Sequence, residues 1–220
     1  MSLFVAIAGR RLSASPIGFR LIDDLTAAAP LGRVTCVLDA RTDAGTWVPS
    51  GVPAARSASG IVIFPGLGRT ARRGLSGAPP RRFRARFAAE FYIPLYAALQ
   101  EGLEFDAPPY NDEEPPPGLT GIPQVVVLVP APNHPFPPEL RVLRGAVRDA
   151  AGPVAHTEVS RGNVDRVLTD TNGEFALPLR LPPRRGAITV DATDHRTGRA
   201  GQLVLTLPAA LDHSQLIALS

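Results

Sequence analysis

The chain has 220 residues, of which 24 are proline and 20 glycine, while 45% are apolar. That much punctuation excludes long helices and that much apolar content excludes disorder, so short strands joined by turns are expected. The net charge is +3 with every basic residue an Arg, and the single cysteine, Cys36, excludes an intramolecular disulfide and points to a reducing compartment.

Residues 1–14 read as an apolar arm. In extended form Leu3, Val5 and Ile7 fall on one face and Phe4, Ala6 and Ala8 on the other. The apolar run is shorter than the roughly 7–15 residues of a secretory signal and has no basic start. A membrane span needs about 20 apolar residues, and no stretch approaches that. A soluble, cytoplasmic chain with no membrane partner is therefore expected. A strand apolar on both faces aggregates at a sheet edge unless covered. The arm is thus either an interior strand or a strand that augments a partner's sheet.

Residues 15–130 are expected to form a first antiparallel β-sandwich. "FRLIDDLTAAAPLGRVTCVLDA" reads as strand, long turn, strand, and "SASGIVIFPGL" as a strand entered through Gly60 and ended by Pro65. "RRFRARFAAEF" places Phe83, Ala85, Phe87 and Ala89 on one face. Trp47, in "GTWVPSG", is a packing anchor or a sugar platform. "GLGRTA" has the glycine spacing of a dinucleotide fingerprint, but the Gly and Pro of "RRGLSGAPPRR" forbid the helix that would face a pyrophosphate, so no cofactor is expected.

The loop 69–82 carries Arg69, Arg72, Arg73, Arg81 and Arg82, with Arg84 and Arg86 beyond it on the solvent face of a strand. These arginines are either a solvated loop or a surface that docks an acidic protein. Nucleic acid fits less well, because no aromatic residues interleave with the loop arginines to stack bases. Residues 1–100 hold 13 Arg against 5 acids, whereas 101–220 hold 10 against 15, an asymmetry that can orient a subunit against a neighbour. "DAPPYNDEEPPPGLTGIP" (106–123) is an acidic, Pro-rich excursion, after which "QVVVLVP" closes the sandwich.

Residues 131–139 read as a Pro-rich linker, stiffened toward polyproline II geometry, and residues 140–220 as a second sandwich. The second half echoes the first: "LRGAVRDAAGPVAHTEVS" repeats the strand–turn–strand layout, "DTNGEFALPLRL" answers "SASGIVIFPGL", "RGAITVDATDH" answers "RRFRARFAAEF", and "QLVLTLP" answers "QVVVLVP". Asp170-Thr171-Asn172-Gly173-Glu174 has an acidic look, but Pro178 and Leu179 stand where a calcium loop needs further ligands. It reads as the type I′ tip of a hairpin between "DRVLT" and "EFALPL". The four histidines (His134, His156, His195, His213) show no metal spacing, and no nucleophile elbow occurs.

On its Gly-x-Val, Asp-x-x-Gly-Pro-Val and Thr-Asp-x-x-Gly-x-Phe elements, the stretch 140–208 resembles a carboxypeptidase regulatory-like domain of the transthyretin-like class. The resemblance implies an accessory fold that stiffens, spaces or docks, with no catalytic residues to carry over. The expected fold is all-β: two tandem Ig-like or transthyretin-like sandwiches joined by a Pro-rich linker. The expected role is a non-enzymatic structural or docking subunit, self-assembling or attached to a larger protein assembly. An adaptor, cap or decoration of a phage-tail-like contractile injection particle is one such setting. The alternatives are a carbohydrate or cell-wall binding module using Trp47, Tyr92, Tyr96 and Tyr110, and a small transthyretin-like hydrolase.

Overall fold

The computed structural model describes residues 14–75, 77–114, 122–181 and 185–220. The protein is all-β. Its strands are β1 (Gly18–Asp23), β2 (Val34–Arg41), β3 (Trp47–Pro49), β4 (Ala55–Arg56), β5 (Val62–Ile63), β6 (Arg81–Ala89), β7 (Tyr92–Pro94), β8 (Leu103–Ala107) and β9 (Gln124–Pro130). They continue as β10 (Arg141–Asp149), β11 (Gly152–Pro153), β12 (Glu158–Arg161), β13 (Asp165–Leu168), β14 (Glu174–Leu179), β15 (Gly186–Asp194), β16 (Arg199–Leu207) and β17 (Gln215–Ala218). The only helical pieces among the described residues are single 3₁₀ turns at Leu95–Ala98 and Ala209–Leu211.

The first nine strands form one curled sheet in the order β3-β2-β6-β7-β9-β1-β5-β4, with β8 also on β6. The last eight form two four-stranded sheets, β11-β10-β14 with β17 on β10, and β13-β12-β15-β16. Strand partners recur between the halves: β1 lies on β5 as β10 lies on β14, β2 joins β3 and β6 as β12 joins β13 and β15, and β8 lies on β6 as β16 on β15. The difference is β7, which pairs with both β6 and β9 and so fuses ladders that stay separate in the C-terminal half. By partner, "QVVVLVP" (β9, beside β1) corresponds to β17 (beside β10), and not to "QLVLTLP" (β16). Two alternating apolar strands look alike in sequence whichever neighbour they take.

By contact density the chain divides into two compact units. One comprises Met1–Arg20, Val37–Arg86 and Glu104–Gln124, the other Leu21–Cys36, Phe87–Leu103 and Val125–Ser220. The first unit is centred on aromatic rings. Phe19, Phe64 and Phe105 touch one another and Phe83 touches Phe105, with centroids 5.9–6.3 Å apart, in the edge-on and offset arrangements that aromatic quadrupoles favour. As the alternation of β6 predicts, Phe83 and Ala85 point into this core while Arg82 and Arg84 take the other face.

The second unit contains a sandwich in the strict sense. Leu143 and Val147 of β10, Phe175, Leu177 and Leu179 of β14, and Ile217 of β17 meet Val159, Val167, Ile188, Val190, Ala192 and Leu205 of the opposite sheet in one cluster. Each of the Val, Leu, Ile and Phe side chains contributes about 1.5–3 kcal/mol by leaving water. β17 runs parallel to β10 with Gly145 opposite Gln215. A Cβ at Gly145 would collide with the Gln215 carbonyl and lie 2.7 Å from the Phe175 ring, so glycine is required for this approach.

Two sequence expectations are corrected here. Asp170–Glu174 is not a hairpin tip, because β13 and β14 belong to different sheets. It is an arch: the Asp170 carboxylate accepts the Asn172 and Glu174 amides, and Gly173 alone takes positive φ (+74°), whereas a type I′ turn needs it at two positions. Gly173 also packs so closely that a Cβ would lie 2.7 Å from the Val147 carbonyl oxygen.

Residues 131–139, in turn, are docked rather than extended. Turns close at His134 and Leu140, the Ala131 amide donates to Phe91, and Asn133 donates to the Glu90 carbonyl. His134 is buried between Tyr92 (5.0 Å, edge-on) and Phe136 (4.7 Å). The same unit is cross-tied by the Asp24 carboxylate, which takes Arg166 at 3.1 Å and Arg180 at 2.5 Å. Arg196 donates to the Ala97 carbonyl, and Ala97, Ala98, Val129 and Leu168 form a small apolar core.

Candidate docking surface

The basic residues picked out in the sequence lie in the first unit and divide by partner. On the outer face of β2 and β6, Asp39 is buried with its carboxylate between two guanidinium groups. Arg86 grips both oxygens (Nε 2.7 Å, Nη2 3.0 Å) and Arg84 approaches Oδ2 at 3.1 Å. Donation by Arg86, opposed by burial and helped by Arg84, holds the Asp39 carboxyl below the ordinary carboxylate range. Arg84 in turn covers the Trp47 ring, with its guanidinium carbon 4.8 Å from the centroid. Trp47 is half-buried beneath it. Arg81 lies over Phe83 at 5.7 Å, and Arg82 pairs with Glu104 at 2.9 Å.

The loop arginines meet the acidic excursion. After β5 the chain makes turns at Gly66–Arg69, and no helix follows among the described residues before β6, in keeping with the glycines and prolines there. Tyr110 fixes the excursion beside this loop. Its amide donates to Gly68, its carbonyl accepts from Thr70, and its buried hydroxyl accepts from the Ala14 amide at 2.9 Å. From that anchor four consecutive residues dock on the loop. Asn111 donates to the Arg72 carbonyl at 2.8 Å, Asp112 takes Arg69 at 2.5 Å, and Glu113 takes Arg73 at 3.5 Å. The Glu114 carboxylate receives the backbone amides of Gly74 (3.0 Å) and Leu75 (3.0 Å). The Asn111 side chain also accepts the Glu113 and Glu114 amides, which turns the acidic run toward the loop. A cleft of about 840 Å³ opens beside the docked segment, lined by Pro65, Arg69, Thr70, Arg73, Asn111 and Asp112.

Arg69, Arg72 and Arg73 are thus brought together, while Arg81 and Arg82 lie on β6 with other partners. Leu3, Phe4, Val5 and Ile7 lie outside the described residues. Asn111, Asp112, Glu113 and Glu114 escaped the sequence reading as partners of the loop. Their signal was present in the occurrence of a basic loop and a short acidic block within the same span, 15–130. Of the aromatic residues of the carbohydrate alternative, Tyr92 and Tyr110 are buried, and the Tyr96 hydroxyl accepts the Phe87 amide at 2.7 Å. The Cys36 thiol is pushed up to about 12 by burial, so it is a poor nucleophile near neutrality. Among the described residues no group of three or more His, Cys, Asp or Glu is placed to hold a metal ion, and no helix is long and apolar enough to cross a membrane.

The site and fold define an all-β chain whose most organised polar surface is a basic loop engaged with an acidic segment. No family model matches the chain, and no curated protein matches it. Among solved structures it is similar to the Bacillus anthracis TIE protein, at 12% identity and a TM-score of 0.29, over 94% of this chain and 33% of that one. The chain thus spans about a third of that protein's length, and a likeness at this level assigns neither activity nor partner.

Proposed function

We propose that the protein is a non-catalytic structural or docking subunit of a larger protein assembly, with the carboxypeptidase regulatory-like character of residues 140–208 serving to space and stiffen. The observation that carries this reading is the cross-tying of the second unit. Asp24 holds Arg166 and Arg180 at once, Arg196 reaches the Ala97 carbonyl, and His134 is wedged between two rings. Such ties suit a part that transmits position. The side chains most able to do chemistry are engaged in holding structure: Asp39 by two arginines, Asp194 by Thr197 and Arg199, His195 by Glu158.

A particle built from cytosolic subunits, such as a phage-tail-like contractile injection system, is the setting we favour, with this chain as adaptor, cap or decoration. Affinity purification of the tagged chain from its native cells, followed by native mass measurement, tests the reading. Recovery within a large, stoichiometric particle supports it. An isolated monomer retained on a glycan resin, or turnover of a substrate lost on a single histidine substitution, overturns it.

A further inference from the structure

Resting on that reading, we propose that the loop 69–75 is a docking site for an acidic, extended segment of a partner protein, and that Asn111–Glu114 occupies it as an internal stand-in. The geometry is that of peptide recognition. Successive residues of one segment meet a backbone carbonyl, two guanidinium groups and a pair of backbone amides. Paired amides converging on a carboxylate form the type of nest that proteins use for anions, and arginines read carboxylates in the same way.

The internal occupant is held in a form that can exchange. The Arg73 and Glu113 side chains are 84% and 66% exposed, and Asp112 is 51% exposed, so water competes for these pairs and salt screens them. The cleft of about 840 Å³ beside them leaves room for an incoming chain, and Arg69 and Arg73 line it with positive charge. Tyr110, buried and bonded at its amide, carbonyl and hydroxyl, keeps the stand-in tethered. It therefore competes at high effective concentration and blocks weak, non-specific anions, while a partner with more carboxylates or a second contact displaces it.

The test uses the full chain and a fluorescently labelled peptide carrying two copies of Asn-Asp-Glu-Glu, read by polarisation at low salt. Asp112→Asn/Glu113→Gln/Glu114→Gln should bind it about tenfold more tightly than the wild type. Adding Arg69→Gln and Arg73→Gln should abolish that gain, and salt should weaken it. Glu114→Gln alone, which keeps an acceptor for Gly74 and Leu75, should shift affinity in the same direction and serves if the triple variant fails to fold. Peptide should also slow hydrogen exchange at the Gly74 and Leu75 amides of the variant. Equal affinity of variant and wild type, binding that survives loss of both arginines, or preference for a DNA duplex of the same charge would each overturn the proposal. A chain recovered in a particle but failing this test loses only the assignment of this loop, not the structural role.

Discussion

Replacing Asp39 with Asn isolates the electrostatics of the β2–β6 face without changing its shape. The wild-type carboxylate is 3% exposed and accepts from Arg86 through both oxygens, with Arg84 on Oδ2. Removing one partner of a buried ion pair costs about 3–5 kcal/mol. The Arg86 side chain is 44% exposed and rehydrates readily, which brings the expected loss to about 2–3 kcal/mol. For a chain of this size that lowers the melting temperature by about 5–10 °C. Trp47 is the only tryptophan and lies under Arg84, so its fluorescence reports unfolding at the site itself.

The pH dependence supplies a second check. Asp39 titrates below its ordinary range in the folded protein, so its stabilisation is in full force above the unfolded value of about 3.9 and is lost as pH falls through the folded value. The amide binds no proton there, so the gap between the two proteins should narrow on acidification. A gap under about 0.5 kcal/mol at neutral pH, or one that persists unchanged into acid, would refute the reasoning.

Three further outcomes are expected. Asp24→Ala should cost about 1–3 kcal/mol, and a double-mutant cycle with Arg180→Ala should show coupling of about 1 kcal/mol, measured by urea unfolding. Gly145→Ala should cost more than about 2 kcal/mol and speed exchange of the Ile217 amide, because the added methyl collides with the Gln215 carbonyl and the Phe175 ring. His134→Phe should flatten the acid side of the stability profile. Burial holds His134 below its usual value against the opposing pull of Asp23, so the unfolded chain takes up the proton first as pH falls below about 6.5. Melting temperatures at about pH 7.5 and about pH 5 should therefore differ less in the variant than in the wild type.

Strand faces were legible because period 2 is a local property. Phe83, Ala85 and Phe87, and likewise Ile188, Val190 and Ala192, are buried as the alternation predicts. Partner choice was not legible, since any alternating strand fits several neighbours until register is fixed by distant contacts. That is why the chain between β13 and β14 read as a hairpin while it crosses between sheets, and why β9 was matched to the wrong counterpart. The tyrosines show the same limit. Whether Tyr92 and Tyr110 form a platform depends on burial, which only the tertiary arrangement decides. The arginine loop was visible as charge, but its neutralisation by residues roughly forty positions later was not.

The parallel pairing of β10 with β17 has a mechanical corollary. Tension applied at Arg141 and Ala218 would draw these adjacent strands in opposite directions along their shared axis, because they point the same way. The bonds across the four aligned pairs from Gly145–Gln215 to Arg148–Ala218 would then be stressed in shear, all together, instead of being peeled open one after another. A module so wired resists stretching better than an antiparallel pair pulled from its open end.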